Sequence, residues 1–82
     1  MIPDRVDAAQ IANWRIQGYP YKVVAGAMAE WALKQDRGTV LPEASFFAGN
    51  LPIVASESSW TRARTFLATI GVLNGNGPYT VA

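Results

Sequence analysis

The chain contains no histidine and no cysteine. Without cysteine no disulfide framework can brace it, and without either residue the ordinary zinc site is excluded, so no metal is expected. Imidazole acid–base chemistry and thiol nucleophiles are excluded with them. Charge is scarce as well: seven basic and six acidic side chains leave a formal net charge of +1, too little for a strong general attraction to polyanions. No stretch has the ~18 consecutive apolar residues that a membrane span needs. The uncharged run from Ala44 to Ser56, for example, is broken by Gly49 and Pro52. Met1-Ile2-Pro3-Asp4-Arg5 lacks the basic start and apolar block of a secretory signal, so a cytoplasmic location and no membrane partner are expected.

What the chain does have is apolar content: half of its 82 residues, without internal repeats or low-complexity tracts. That suits one small packed domain. A chain of this size buries only roughly 60% of its unfolded surface, so its stability should be modest.

Residues 4–17 are expected to form a first helix, with Asp4 and Asp7 near its positive end and Gly18 as its stop. Val6, Ala9, Ala12 and Ile16 keep helical spacing, which leaves Ile11 and Trp14 off the stripe and available to a second surface. After the break at Gly18-Tyr19-Pro20, the residues Tyr21, Val24, Ala25, Met28, Trp31 and Ala32 recur at three- and four-residue steps. They predict a helix with one buried face that runs to Arg37-Gly38.

Thr39-Val40-Leu41 reads as a short strand, because Pro42 keeps the residue before it extended. A short helix from Pro42 to Ala48 should then bury Phe47, with Phe46 as a second candidate. Ser56 is a good N-cap, with Glu57 behind it at the positive helix end. From there Trp60, Ala63, Leu67 and Ile70 define an inner face. Ser58, Thr61, Arg62, Thr65 and Thr69 fall on the outer one, with Arg64 on a flank beside Glu57. Asn74-Gly75-Asn76-Gly77 predicts a hairpin turn between strands at 71–73 and 79–81.

Helix, helix, strand, helix, helix, strand, strand is, less its first helix, the order of a winged helix-turn-helix. Four pieces resemble the GntR-type DNA-binding domain of bacterial repressors. Tyr21 through Met28 is similar to that family's first helix. Gly38-Thr39-Val40-Leu41-Pro42-Glu43 is similar to its short strand and the "G-x-x-L-P-S/E" helix opening. Ala63 and Leu67, followed by Ile70-Gly71-Val72-Leu73, resemble the end of its recognition helix. Gly75-Asn76-Gly77 with Tyr79 and Val81 resembles its glycine wing and last strand.

The resemblance covers about residues 20–82, and each motif is weak alone; the specificity comes from their order and spacing. It implies an α+β fold, mainly α with a small β-wing. Residues 1–19 would form an N-terminal helical extension suited to dimerisation, and residues 20–82 the winged domain. The turn between Ala48 and Ser56 is two residues longer than the family's, and Arg64 stands where the family usually has leucine. The family also tends to read DNA with arginines at positions that here hold Ser45, Glu57 and Thr61.

The expected function is therefore DNA binding by a repressor-like transcriptional regulator, with the helix from Ser56 to Ile70 in the major groove. The candidate contacts are Ser45, Ser56, Ser58, Ser59, Thr61, Arg62, Arg64 and Thr65, together with Asn76 at the wing tip. Arginine can bond guanine bidentately, serine and threonine reach bases or phosphate, and Arg64 suits a phosphate. The charge distribution agrees with this: residues 1–55 hold five basic and five acidic side chains, whereas residues 58–82 hold Arg62 and Arg64 and no acid.

Two arginines are few, so weak and salt-sensitive binding by one copy is expected, with a homodimer on two half-sites as the remedy. Because the sequence ends one residue after the last strand, no effector site and no cofactor are expected. The chain is then either a stand-alone regulator or a fragment. Two alternatives stay open: an architectural DNA-binding accessory factor for recombination or plasmid partition, and a winged-helix module that binds proteins. An enzyme is not expected, because the six carboxylates are spread without a convergent motif and no glycine-rich phosphate loop follows a strand.

Overall fold

A computed structural model describes residues 6–75 and 78–82. Helix α1, Ala8–Gln17, starts later than its apolar pattern suggests, because Asp7 is the cap. The Asp7 carboxylate accepts a hydrogen bond from the Gln10 backbone N–H at 2.9 Å, and the Gln10 side chain accepts one from the Asp7 N–H at 3.0 Å. This reciprocal pair satisfies two donors that a helix start leaves open. Asp4 lies outside the described residues.

Of the expected inner stripe, Val6, just before the helix, is buried at 1% exposure, but within α1 the opposite face turns inward. Ile11 is 3% exposed and Trp14 8%, whereas Ile16 is 82% exposed and Ala9 and Ala12 also face solvent. The cause lies on another element. Gly26 of α2 (Pro20–Ala32) carries no Cβ, and Ile11 Cγ2 stands 3.3 Å from where one would be, with the Trp14 ring just beyond. Ile11 and Trp14 fill that notch. They therefore belong to the common core rather than to a free surface.

Helix α2 begins with Pro20, whose missing N–H costs nothing in a first turn. It is buried on a broad face that includes Val23, Val24, Gly26, Met28 and Ala29, since α1 and a later helix, α4 (Glu57–Thr69), both pack on it. Tyr21 and Trp31 end half-buried at the margins of that face. The helix stops at Ala32, short of Arg37, and turns carry the chain to Gly38.

Helix α3 spans Ala44–Ala48, two residues later than expected, because Glu43 holds extended backbone at the cap. Phe47 enters the core, whereas Phe46 stays 57% exposed. Helix α4, Glu57–Thr69, starts as read: the Ser56 hydroxyl accepts the Ser59 backbone N–H at 3.3 Å. Trp60, Ala63 and Leu67 turn inward, and Ile70 caps the helix half-buried.

The exit from α4 is tightly specified. Val72 N–H donates to the Leu67 carbonyl at 2.8 Å and Gly71 N–H to that of Ala68 at 3.2 Å, with Gly71 at φ 85°. This pair of hydrogen bonds to the last turn is the Schellman arrangement, which needs a left-handed residue at that point. Leu67 and Val72, which flank it, have no exposed surface.

Strands β1, Leu73–Asn74, and β2, Thr80–Val81, pair antiparallel with Leu73 opposite Val81 and Asn74 opposite Thr80. Both are shorter than the expected segments. On the other side of β2, Val40 bridges Thr80. Leu41 N–H donates to Tyr79 O, and Val81 N–H to Thr39 O, each at 2.9 Å. Segment 79–82 thus lies between segment 39–41 and β1. The protein is mainly helical with a small two-stranded antiparallel sheet, an α+β arrangement.

Candidate nucleic-acid interface

Packing Trp60, Ala63 and Leu67 inward fixes the rotation of α4, and the opposite face is presented to solvent. Ser58, Thr61, Arg62 and Thr65 are all exposed there, Ser59 is half-buried at its edge and Arg64 is half-buried on the flank. No ion pair joins Arg64 to Glu57 among the described residues.

The hydroxyls of this face are not equally free. Ser56 Oγ caps the helix and lies 3.0 and 3.1 Å from Ser58 Oγ and Ser59 Oγ, so its first task is structural. Thr65 donates to the Thr61 carbonyl at 3.2 Å, which leaves its oxygen as an acceptor but commits its proton. Thr69 does the same to Thr65. Among the described residues Thr61 is the hydroxyl of the exposed face with no side-chain hydrogen bond, whereas Ser58 is tied to the Ser56 cap.

Arg62 is placed more definitely than the sequence suggests. Its guanidinium carbon sits 4.4 Å from the centroid of the Tyr21 ring, which stands at the first turn of α2. Tyr21 meets Phe66 edge-on at 5.8 Å, and Phe66 in turn meets Trp14 edge-on at 5.3 Å. Beside this stack, Lys22 Nζ donates to the Gln17 side-chain oxygen at 2.6 Å and lies 5.5 Å from the Tyr19 ring centroid. Residues from the start of α2 and from the first turns of α4 enclose an open cleft of about 520 Å³, lined among others by Tyr19, Lys22, Ser58 and Arg62.

Tyr19, Tyr21 and Lys22 are not among the site residues expected from the sequence. Three-residue spacing marks Tyr21 as a core position, and its ring reaches only the margin of that core. The available signal was the aromatic–basic cluster Tyr19-Pro20-Tyr21-Lys22 placed at a helix break.

Ser45 is exposed on α3, and no hydrogen bond links it to the α4 group among the described residues. Asn76, expected at the wing tip, lies outside the described residues. Gly75 before it has φ 84°, and a Cβ there would stand 2.9 Å from the Pro78 carbonyl oxygen. Its role in making the turn is therefore physical. Arg15 is committed elsewhere, paired with Glu30 on α2. Among the described residues, no helix is long and apolar enough to cross a membrane. No family model, no curated protein and no solved structure matches the chain.

Proposed function

We propose that the chain is a double-stranded-DNA-binding transcriptional regulator of GntR-like winged helix-turn-helix build. In this reading α4 enters the major groove and the turn between β1 and β2 reaches the backbone or minor groove. The observation that carries it is the outer face of α4: Ser58, Thr61, Arg62 and Thr65 exposed together while Trp60, Ala63 and Leu67 lock the inner face. The order α2, segment 39–41, α3, α4, β1, β2, with segment 79–82 central among the extended pieces, supports the same reading.

Arg62 reads a base edge, Ser58 and Thr61 contact bases or phosphate, and Arg64 on the flank neutralises a phosphate. So few cations make binding by one copy weak, and a second copy on a neighbouring half-site supplies the remaining affinity. Because Ile11 and Trp14 are inside, the surface joining two copies excludes them.

Anisotropy titrations on random duplex at two salt concentrations, followed by selection from a random pool, test the proposal. Salt-sensitive binding and a recovered consensus are expected, and Arg62→Ala should cost about 1–3 kcal/mol on the selected site. Binding without a consensus would instead indicate an architectural accessory role. A protein-binding module has one observation in its favour, the exposure of Phe46 and Val54 on α3 and the loop after it. Absence of duplex binding at micromolar protein would favour that reading over both DNA roles.

A further inference from the structure

We propose that Tyr21 is a positioning residue for Arg62, and that helix α1, through its buried Trp14 and then Phe66, holds it in place. This inference rests on the DNA-binding reading and names what the site reads: a guanine edge in the major groove. An exposed arginine on a helix ordinarily samples many rotamers, and binding must then freeze one of them. Here the guanidinium lies over a tyrosine ring at 4.4 Å. A cation over a ring is attracted by the ring's π face, and a guanidinium that lies flat there keeps its N–H donors along its own edge. No hydrogen bond or ion pair consumes those donors among the described residues. Two of them match O6 and N7 of guanine.

The ring that carries Arg62 is itself held. Tyr21 stands at 83° to Phe66, and Phe66 at 75° to Trp14, which is buried between α1 and α2. Edge-to-face contacts of this kind fix the orientation of the rings as well as their separation. Trp14, Phe66, Tyr21 and Arg62 therefore form a continuous path from the core to the exposed face of α4. The N-terminal helix bears on recognition by bracing the reading side chain.

The test is a double-mutant cycle on the selected duplex, with Tyr21→Leu, Tyr21→Phe, Arg62→Ala and the Leu/Ala pair. Tyr21→Leu keeps apolar bulk against Phe66 and removes the π face. It should weaken binding to the selected duplex about two- to tenfold, the range for immobilising one long side chain. Affinity for random duplex should be unchanged, Tyr21→Phe should behave as wild type, and Tyr21→Leu should add no loss once Arg62 is alanine. Phe66→Leu, which removes the brace alone, should give the same pattern at smaller amplitude.

Stacking is also read without DNA. The δ protons of Arg62 should resonate upfield in wild type and in Tyr21→Phe, and return to ordinary arginine values in Tyr21→Leu. Equal losses from Tyr21→Leu with and without Arg62, or δ protons that do not move, overturn the positioning role and leave DNA binding standing. Wild-type protein that binds no duplex overturns the function on which the inference rests.

Discussion

Replacing Trp14 with alanine measures where the first helix belongs. On a free dimerisation face the change would alter self-association and leave the fold of one copy nearly untouched. In the structure Trp14 is 8% exposed and meets Phe66 edge-on at 5.3 Å. An aromatic side chain of this kind buries about 150–250 Å², worth roughly 4–6 kcal/mol at about 25 cal/mol per Å². Extended-chain references overstate such burial, and core truncations of tryptophan to alanine cost about 3–5 kcal/mol. A domain of this length has only about 4–12 kcal/mol of stability in total, so the variant should lose at least about a quarter of it.

The assay is urea denaturation followed by far-ultraviolet circular dichroism at two protein concentrations, with Ile16→Ala as the control. Ile16 is 82% exposed, and truncation there should stay within about 0.5 kcal/mol of wild type. A loss under about 1 kcal/mol for Trp14→Ala, or a larger effect at Ile16 than at Trp14, would refute the placement of α1. So would a loss that disappears as the protein concentration is raised.

Asp7→Ala should cost about 0.5–2 kcal/mol in the same denaturation assay by removing the α1 cap, while Asp7→Asn retains most of it. Ser56→Ala should lose about 1 kcal/mol of stability through the α4 cap, checked by the urea midpoint. Gly71→Ala forces a side chain into left-handed backbone and should cost about 1–2 kcal/mol, seen as a lower thermal midpoint. In contrast, Glu30→Gln removes one partner of an exposed ion pair and should change stability by less than about 1 kcal/mol, an effect that shrinks further in high salt.

The sequence was most informative where structure is set locally. Ser56 announces the start of α4 through its own hydroxyl, and the spacing of Trp60, Ala63 and Leu67 fixes the face that α4 buries. Hence the exposed group Ser58, Thr61, Arg62 and Thr65 was legible, as were the helix α2 and the antiparallel pairing on either side of residues 75–78. The face of α1 was not, because it is decided by the missing Cβ of Gly26 on another helix rather than by the period of α1 itself. The start of α3 was misplaced because Pro42 suits a first helical position, whereas Glu43 takes extended backbone at the cap. The part played by Tyr21 was hidden for a related reason. Apolar spacing says which way a residue points, and not that its ring extends past the core edge to lie under Arg62.

The central position of segment 79–82 has a consequence for the order of folding events. The Thr39 carbonyl and the Leu41 N–H pair with Val81 and Tyr79, and the whole of α3 and α4 lies between them in the chain. The entropy of closing that long loop is lost before the paired backbone returns anything, which makes this pairing a late step. During synthesis α1 and α2 can already meet around Gly26 while the extended segment 39–41 waits without a neighbour. The domain closes only after residue 82 has emerged from the ribosome.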